Sequence, residues 1–474
     1  MTFQSFEYLI FIPVVFLIYW TICRNSKILQ NSLIVVASVI FYGWWDWRFL
    51  GLLILTALST FFAGLWMNLT EDQKKRRIIS VVTIVFNIAI LFFFKYYNFF
   101  IQAFIDTFSF CGLNLSISTL KILLPVGISF YTFSALSYSI DIYQRKVAPT
   151  HDLLAYSAYV MFFPSILSGP ISRAQKQLPQ YFKVRIFDYD KIVSACKLFL
   201  MGGVMKLCLA DRLGIYVDAV YANIANHNGT TLLFNSVLYT IQIYADFAGY
   251  SLMAIGSGKL LGIDLPENFI RPYFAKTVTD FWRRWHISLT TWFRDYIYFP
   301  LGGNRCSKLR WIFNTMIVFT ISGLWHGAAY TFLIWGILHG ACMVLERLIY
   351  GDKIKNISGK FSLMNLFRWL ITFSIVNFAW IFFRVSDINE VKIIFCKIFS
   401  DPGNLFIDPD TLFYAFLFMI LMFIIELNEE YFSGRIKLMS SKYVVVRWIS
   451  YLAMIVLILL FGVLDSGSFI YFQF

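Results

Sequence analysis

Apolar runs recur along the whole chain, separated by short polar segments. The first four cover Phe6–Ile22, Leu29–Trp45, Phe49–Met67 and Ile78–Phe94. Later ones lie near Ile192–Leu213, Leu232–Leu261, Trp311–Trp325, Tyr330–Leu348, Leu366–Phe383, Leu412–Glu426 and Tyr443–Leu464. A membrane-spanning helix needs about 20 mostly apolar residues. The pattern therefore predicts an all-α, polytopic membrane protein with about eleven to thirteen membrane segments. No long polar stretch interrupts the pattern, so residues 1–474 read as a single integral membrane domain without a soluble module.

The middle of the chain is less regular. Leu124-Pro125-Val126-Gly127 opens an apolar run that reaches Asp141, and Phe163-Pro164 and Gly169-Pro170 interrupt the next one. Proline removes a backbone donor and breaks the helical ladder. Irregular backbone at membrane depth is tolerated only when it is buried in protein or lines a cavity. Two readings follow: re-entrant or half-length helices around a central cavity, or simple loops at the interface.

Composition and charge agree with the pattern. Only 14% of residues are charged and 59% are hydrophobic, against about 25% charged in a soluble domain. Charge on that scale cannot cover a water-facing surface, so the apolar excess faces lipid. The net charge of +13 comes from short basic clusters between apolar runs, such as Lys74, Lys75, Arg76 and Arg77 and the stretch from Arg173 to Arg185. That distribution is the signature of cytoplasmic loops, not of a nucleic-acid surface. Arg24 and Lys27 follow the first span, which places the N-terminus outside; Lys437, Lys442 and Arg447 precede the last, which places the C-terminus outside as well. The first run has no basic residue before it and is long enough to span, so it reads as a retained helix in the cytoplasmic (inner) membrane and not as a cleaved signal. The seven cysteines are scattered without metal or redox spacing.

Candidate chemistry is concentrated in one region. Of five histidines, His151 and His227 fall in polar connecting segments, whereas His286, His326 and His339 fall in the most aromatic part of the chain. His326 sits in Ser322-Gly323-Leu324-Trp325-His326-Gly327. An ionisable ring in an apolar span is costly and is a functional candidate; a neutral imidazole suits a general base. The alternative is a core histidine that ties helices together. Around His286, a continuous helix places Trp282, Trp285, His286 and Leu289 on one face. Arg283 and Arg284 lie beside it and suit an anionic ligand such as coenzyme phosphates; they suit lipid headgroups or a cytoplasmic boundary equally well. His339 lies thirteen positions after His326 and reads as packing. No metal-ligand spacing, nucleophile elbow or phosphate loop is present in the sequence.

The segments Phe281-Trp282-Arg283-Arg284-Trp285-His286-Ile287-Ser288-Leu289, Arg294-Asp295-Tyr296-Ile297-Tyr298, Pro300-Leu301-Gly302-Gly303-Asn304-Arg305 and Gly323-Leu324-Trp325-His326-Gly327 closely resemble the membrane-bound O-acyltransferase family. Leu124–Phe130, Ser168–Ile171, Asp246–Ser251 and Asn268-Phe269 support the match, which is closest to the bacterial alginate and peptidoglycan O-acetyltransferase branch. The resemblance implies a many-helix fold with a funnel on each face, joined at a catalytic tunnel. It implies that His326 is the main catalytic histidine and that His286 occupies a second polar position, filled in the family by histidine or asparagine. It also implies acetyl-CoA as the cytoplasmic donor, an extracytoplasmic esterase-like partner that finishes the transfer, and a polysaccharide acceptor reached through that partner: alginate, peptidoglycan or another exopolysaccharide. Trp282, Trp285, Arg283 and Arg284 are then the expected donor-binding residues, with no metal required.

The chain ends Ser468-Phe469-Ile470-Tyr471-Phe472-Gln473-Phe474. This ending resembles that of the small membrane partner in teichoic acid D-alanylation, where a terminal tyrosine is implicated as an acyl carrier. Tyr471 is accordingly a third catalytic candidate, with residues 466–474 inserted in the outer funnel; the alternative is an aromatic belt anchor. The competing function is a transporter or flippase that moves a lipid-linked sugar without acyl chemistry.

Overall fold

Each apolar run folds as helix in the computed structural model, which describes residues 1–110, 119–120, 122–351, 362–432, 434–435, 438–464 and 470. Among the described residues there is no β-strand. Several helix starts are written locally: Ser26, Ser307 and Ser362 accept hydrogen bonds from the backbone N–H groups of Leu29, Arg310 and Asn365, which satisfies donors that a helix N-terminus leaves orphaned. The chain divides into two compact units, Met1–Ala195 with Ala254–Pro266, and Cys196–Met253 with Glu267–Phe474.

The first unit begins with α1 (Phe6–Thr21), α2 (Lys27–Asp46), α3 (Leu50–Asn68), α4 (Gln73–Phe110) and α5 (Ile128–Tyr143). Three short helices follow: α6 (Leu153–Val160), α7 (Phe163–Ile166) and α8 (Ala174–Gln177). The prolines do break the ladder, and the irregular residues 167–172 between α7 and α8 are buried. Buried short helices, not exposed loops, are thus the outcome for this stretch. Gly127 starts α5 at φ 77°, and a Cβ there would stand 2.3 Å from the Ile166 carbonyl oxygen. Arg185, at the end of the basic stretch, is buried: Nε donates to Tyr19 Oη (2.7 Å) and Nη1 to Asn31 Oδ1 (2.8 Å).

The second unit takes in the C-terminal part of α9 (Tyr189–Gly203), a π-helical segment (Val204–Ala210), α10 (Asp211–Tyr221) and most of α11 (Gly229–Leu260). The short α12 (Val278–Arg284) and α13 (Ile287–Phe293) follow, then α14 (Lys308–His326), α15 (Tyr330–Tyr350), α16 (Leu363–Arg384), α17 (Ile388–Ser400), α18 (Pro409–Tyr431) and α19 (Val444–Phe461). Trp285, Trp335 and Trp380 are fully buried at its centre. α14 and α15 form a hairpin whose backbones touch: a Cβ on Gly323 would meet the Phe332 carbonyl at 2.3 Å, and one on Gly336 the Phe319 carbonyl at 2.3 Å. Small residues at such a crossing are how membrane helices approach closely.

Seven helical stretches among the described residues have both the length and the apolarity to cross a membrane, and the chain is a polytopic helical membrane protein. The sequence count is higher partly because Lys27–Asn68 joins the second and third apolar runs in one stretch and because α1, at 16 residues, is set apart by its length. α11 is 32 residues long, yet Thr231, Asn235, Ser236, Thr240, Gln242, Asp246 and Ser251 are all buried along it. It turns a polar face inward, which lowers its mean hydropathy without exposing that face to lipid.

Candidate active site

His286 does not lie within a continuous helix. α12 ends at Arg284, Trp285 is extended, and His286 stands at φ 42°, ψ 52° as the N-cap of α13. The expected single face of Trp282, Trp285, His286 and Leu289 is therefore corrected to two short helices with a sharp break between them. The reason is a pairing with residues 268–270. Ile270 N–H donates to the Arg284 carbonyl (3.0 Å) and Ile287 N–H to the Asn268 carbonyl (2.9 Å). The Asn268 side chain then accepts from Ser288 Oγ (2.6 Å) and donates to Ser251 Oγ (3.1 Å). A non-glycine residue at positive φ is uncommon and is held only when its surroundings over-determine it.

Both ends of α12 are fixed. The Glu346 carboxylate accepts from the backbone N–H of Thr279 (2.9 Å) and Val278 and from Thr279 Oγ1 (2.9 Å). An anion at a helix N-terminus satisfies orphan donors and complements the dipole. At the other end, Arg284 pairs with Asp280 (3.1 Å) and with Glu430 (2.9 Å), and Glu430 also receives Arg271 (2.8 Å). Arg284 is thus engaged inside the protein, whereas Arg283 is exposed. Trp282 and Trp285 are in the core, 4% and 0% exposed.

His326 closes α14 and is 3% exposed. Its ring lies edge-on to Trp335 (5.0 Å between centroids) and Phe383 (5.1 Å), with Trp325 at 4.9 Å. Trp325 also stands 5.9 Å from His286, whose other face meets Phe247 at 4.7 Å. One indole therefore touches both histidines. Gly327 is required by packing, since a Cβ there would enter the Phe332 ring at 2.0 Å. The third histidine joins the same cluster: His339 is 5.0 Å from Trp335 and 5.1 Å from Trp282, and its Nδ1 accepts from Trp282 Nε1 (3.3 Å). Burial pushes the His286 imidazole down to about 3, so it is neutral at physiological pH.

The shell is aromatic but not without polar atoms. The Nε1–H groups of Trp285, Trp335 and Trp380 and Nε2 of His339 have no hydrogen-bond partner among the described residues. Each buried unmade hydrogen bond costs about 1–3 kcal/mol, so several together within one packed cluster suit a small polar group of a ligand. Three indoles pack together nearby: Trp380 lies tilted 4.9 Å from Trp285 and stacked 5.7 Å from Trp335. Among the described residues no group of three or more His, Cys, Asp or Glu stands together as a metal site. Tyr471 lies outside the described residues.

Trp335, Trp380, Phe383 and Glu346 carry no signal in the sequence beyond being aromatic or acidic in apolar runs. They sit on α15 and α16, and only the packing of these helices on α12 and α14 brings them to the histidines.

A model of the membrane-bound O-acyltransferase family matches residues 39–385. Over 405 residues the chain is 36% identical to the probable alginate O-acetylase AlgI of Pseudomonas aeruginosa, covering 84% of this chain and 75% of that protein. It is 32% identical over 412 residues to the peptidoglycan O-acetyltransferase of Helicobacter pylori, covering 80% and 76%. A more distant similarity, 28% over 277 residues, is to the teichoic acid D-alanyltransferase of Bacillus subtilis, covering 54% and 68%.

Proposed function

We propose, from the premise that this chain belongs to the membrane-bound O-acyltransferase family and is an O-acyltransferase, that it passes acetyl from cytoplasmic acetyl-CoA towards an extracytoplasmic polysaccharide. The relatives named for alginate and peptidoglycan acetylation support acetyl and a polysaccharide acceptor. The basic loops support a donor side in the cytoplasm and termini outside. An esterase-like partner outside the membrane completes the transfer to alginate, peptidoglycan or another exopolysaccharide.

The observation that carries this reading is the placing of two buried histidines against one indole, Trp325, inside an aromatic shell. In the proposed step His326 accepts the proton of an incoming hydroxyl while the oxygen attacks the thioester carbonyl carbon. The C–S bond then breaks, the proton passes from His326 to the departing thiolate, and an ester and a free thiol remain. General-base assistance is worth about 10²–10⁴-fold. His286, neutral, hydrogen-bonds the thioester carbonyl, and the indole N–H groups help where negative charge develops. Exclusion of water by the rings limits hydrolysis of the thioester. Arg283, exposed at the end of α12, contacts the coenzyme phosphates.

His326→Ala should leave the protein folded at a normal level in the membrane and lower surface O-acetyl content by about 10²-fold or more. Ester content near normal at normal protein level overturns the assignment. Retained transport of a lipid-linked sugar by His326→Gln, with no change in acetylation, supports the flippase reading instead.

A further inference from the structure

The π-helical segment between α9 and α10 places a lysine among carboxylates inside the second unit. Lys206 Nζ lies 2.6 Å from Asp246 Oδ1 and 2.7 Å from Asp211 Oδ1, and the Lys206 and Asp246 side chains are each 2% exposed. Their meeting depends on two glycines. A Cβ on Gly202 would stand 2.5 Å from the Gly249 carbonyl oxygen, and one on Gly249 would stand 2.8 Å from that of Gly202 and 2.9 Å from Lys206 N. The two helices touch backbone to backbone, which brings Lys206 against Asp246 on the preceding turn of α11. Buried charge of this kind is expensive and is kept where it has a task. One ammonium between two carboxylates leaves the group with an excess negative charge, and such a group calls for further donors.

Part of that demand is met by the end of the chain. Ile470 N–H donates to Asp246 Oδ2 at 3.0 Å. Two more bonds hold the segment that leaves α19 to the same region: Val463 N–H donates to the Leu207 carbonyl (3.1 Å), and Arg212 Nη2 to the Phe461 carbonyl (2.7 Å). A π-turn sets backbone carbonyls out of the regular ladder, and Leu207, within that turn, is the acceptor used. The Ile470 side chain packs against the apolar core of the unit. Asp246 is followed directly by Phe247, whose ring lies 4.7 Å from that of His286.

We infer that Lys206, Asp211 and Asp246 form a receptor for the chain's own C-terminal segment, with Asp246 as the positioning residue that fixes Ile470 through its backbone N–H. Lys206 holds the Asp246 carboxylate in place through the 2.6 Å contact to Oδ1. The π-turn supplies a second anchor seven residues nearer α19. The residue after Ile470 is Tyr471, so a seated tail has its phenol next in sequence to a fixed point on the helix that carries Phe247. The consequence for turnover, but not the seating itself, rests on the acyl-transfer reading above.

Ile470→Pro isolates the contact. It deletes the N–H and leaves Lys206, Asp211 and Asp246 as they are, whereas Ile470→Ala keeps the N–H and trims only the side chain. Purified full-length protein in detergent is digested with carboxypeptidase, and loss of C-terminal residues is followed by intact-mass spectrometry. A hydrogen bond to a charged group is strong enough that the proline variant should be trimmed about tenfold faster or more than the alanine variant. Asp246→Asn should be trimmed faster as well; if it fails to fold, the proline variant still decides. Equal trimming of parent, Ile470→Ala and Ile470→Pro overturns the receptor, whatever happens to acetylation. Faster trimming of Ile470→Pro with undiminished surface acetylation leaves the receptor standing and removes the tail from the acyl route.

Discussion

His286 occupies a backbone conformation that costs an ordinary side chain about 1–2 kcal/mol, at φ 42°. Asparagine adopts that region more readily than any residue except glycine, and it retains a hydrogen-bonding side chain. The position therefore has two requirements, a left-handed backbone and a polar group facing Trp325. His286→Asn satisfies both and should keep a measurable part of the acetyl transfer. His286→Ala satisfies neither and should fall about 10²-fold, the usual cost of a lost carbonyl donor. Surface ester content at matched protein level compares them. Equal loss in the two variants rules out hydrogen bonding as the role of this residue.

At the scale of the element, α12 is a seven-residue rod pinned at both ends, by Glu346 at its start and by Asp280 and Glu430 through Arg284 at its close. Its two arginines consequently separate into different tasks. Arg284→Gln takes the arginine partner from Asp280 and one of the two arginines from Glu430, which keeps Arg271, and should destabilise the protein by about 1–3 kcal/mol, seen as a lower thermal midpoint in detergent. Arg283→Gln should leave that midpoint unchanged and raise the KM for acetyl-CoA several-fold, with added salt reproducing the change in the parent. A stable Arg284→Gln protein, or an unchanged KM in Arg283→Gln, contradicts the division. The adjacent pair was legible from sequence as a basic spot beside tryptophans. Which arginine turns inward was not, because Glu430 lies more than a hundred residues away on α18.

Over the whole molecule, the proposed function raises the question of how acetyl would leave the buried histidines for an acceptor outside. A phenol has a pKa of about 10 and is a weak nucleophile until a base takes its proton. In the proposed route His326 is that base: the Tyr471 oxygen would attack the thioester carbonyl, the thiol would depart with the proton, and the aryl ester left behind would be reactive enough to hand acetyl to a partner's hydroxyl. Tyr471→Phe keeps the ring and removes the oxygen. It should abolish surface acetylation with assembly intact, and mass spectrometry of the parent should find acetyl on the C-terminal peptide. Full activity of Tyr471→Phe shows the tail to be an anchor and the transfer to run directly from coenzyme to partner.

The sequence by itself determined that this chain is a helical membrane protein, because burying backbone in lipid leaves helix as the local solution for each long apolar run. It also marked His286 and His326, since rare ionisable rings stand out in apolar surroundings. It did not reveal that the helix breaks at His286. That depends on the backbone of residues 268–270 competing for the same donors and acceptors. Nor did it reveal that α11 turns a buried polar face inward, or that Trp335 and Phe383 flank His326 with Trp380 packed behind them. Contacts of that kind join α11 to α16 across long separations, and no local period encodes them. The two glycine crossings, Gly202 with Gly249 and Gly323 with Gly336, decide which rings and charges meet, because only there do the helices come close enough to place them.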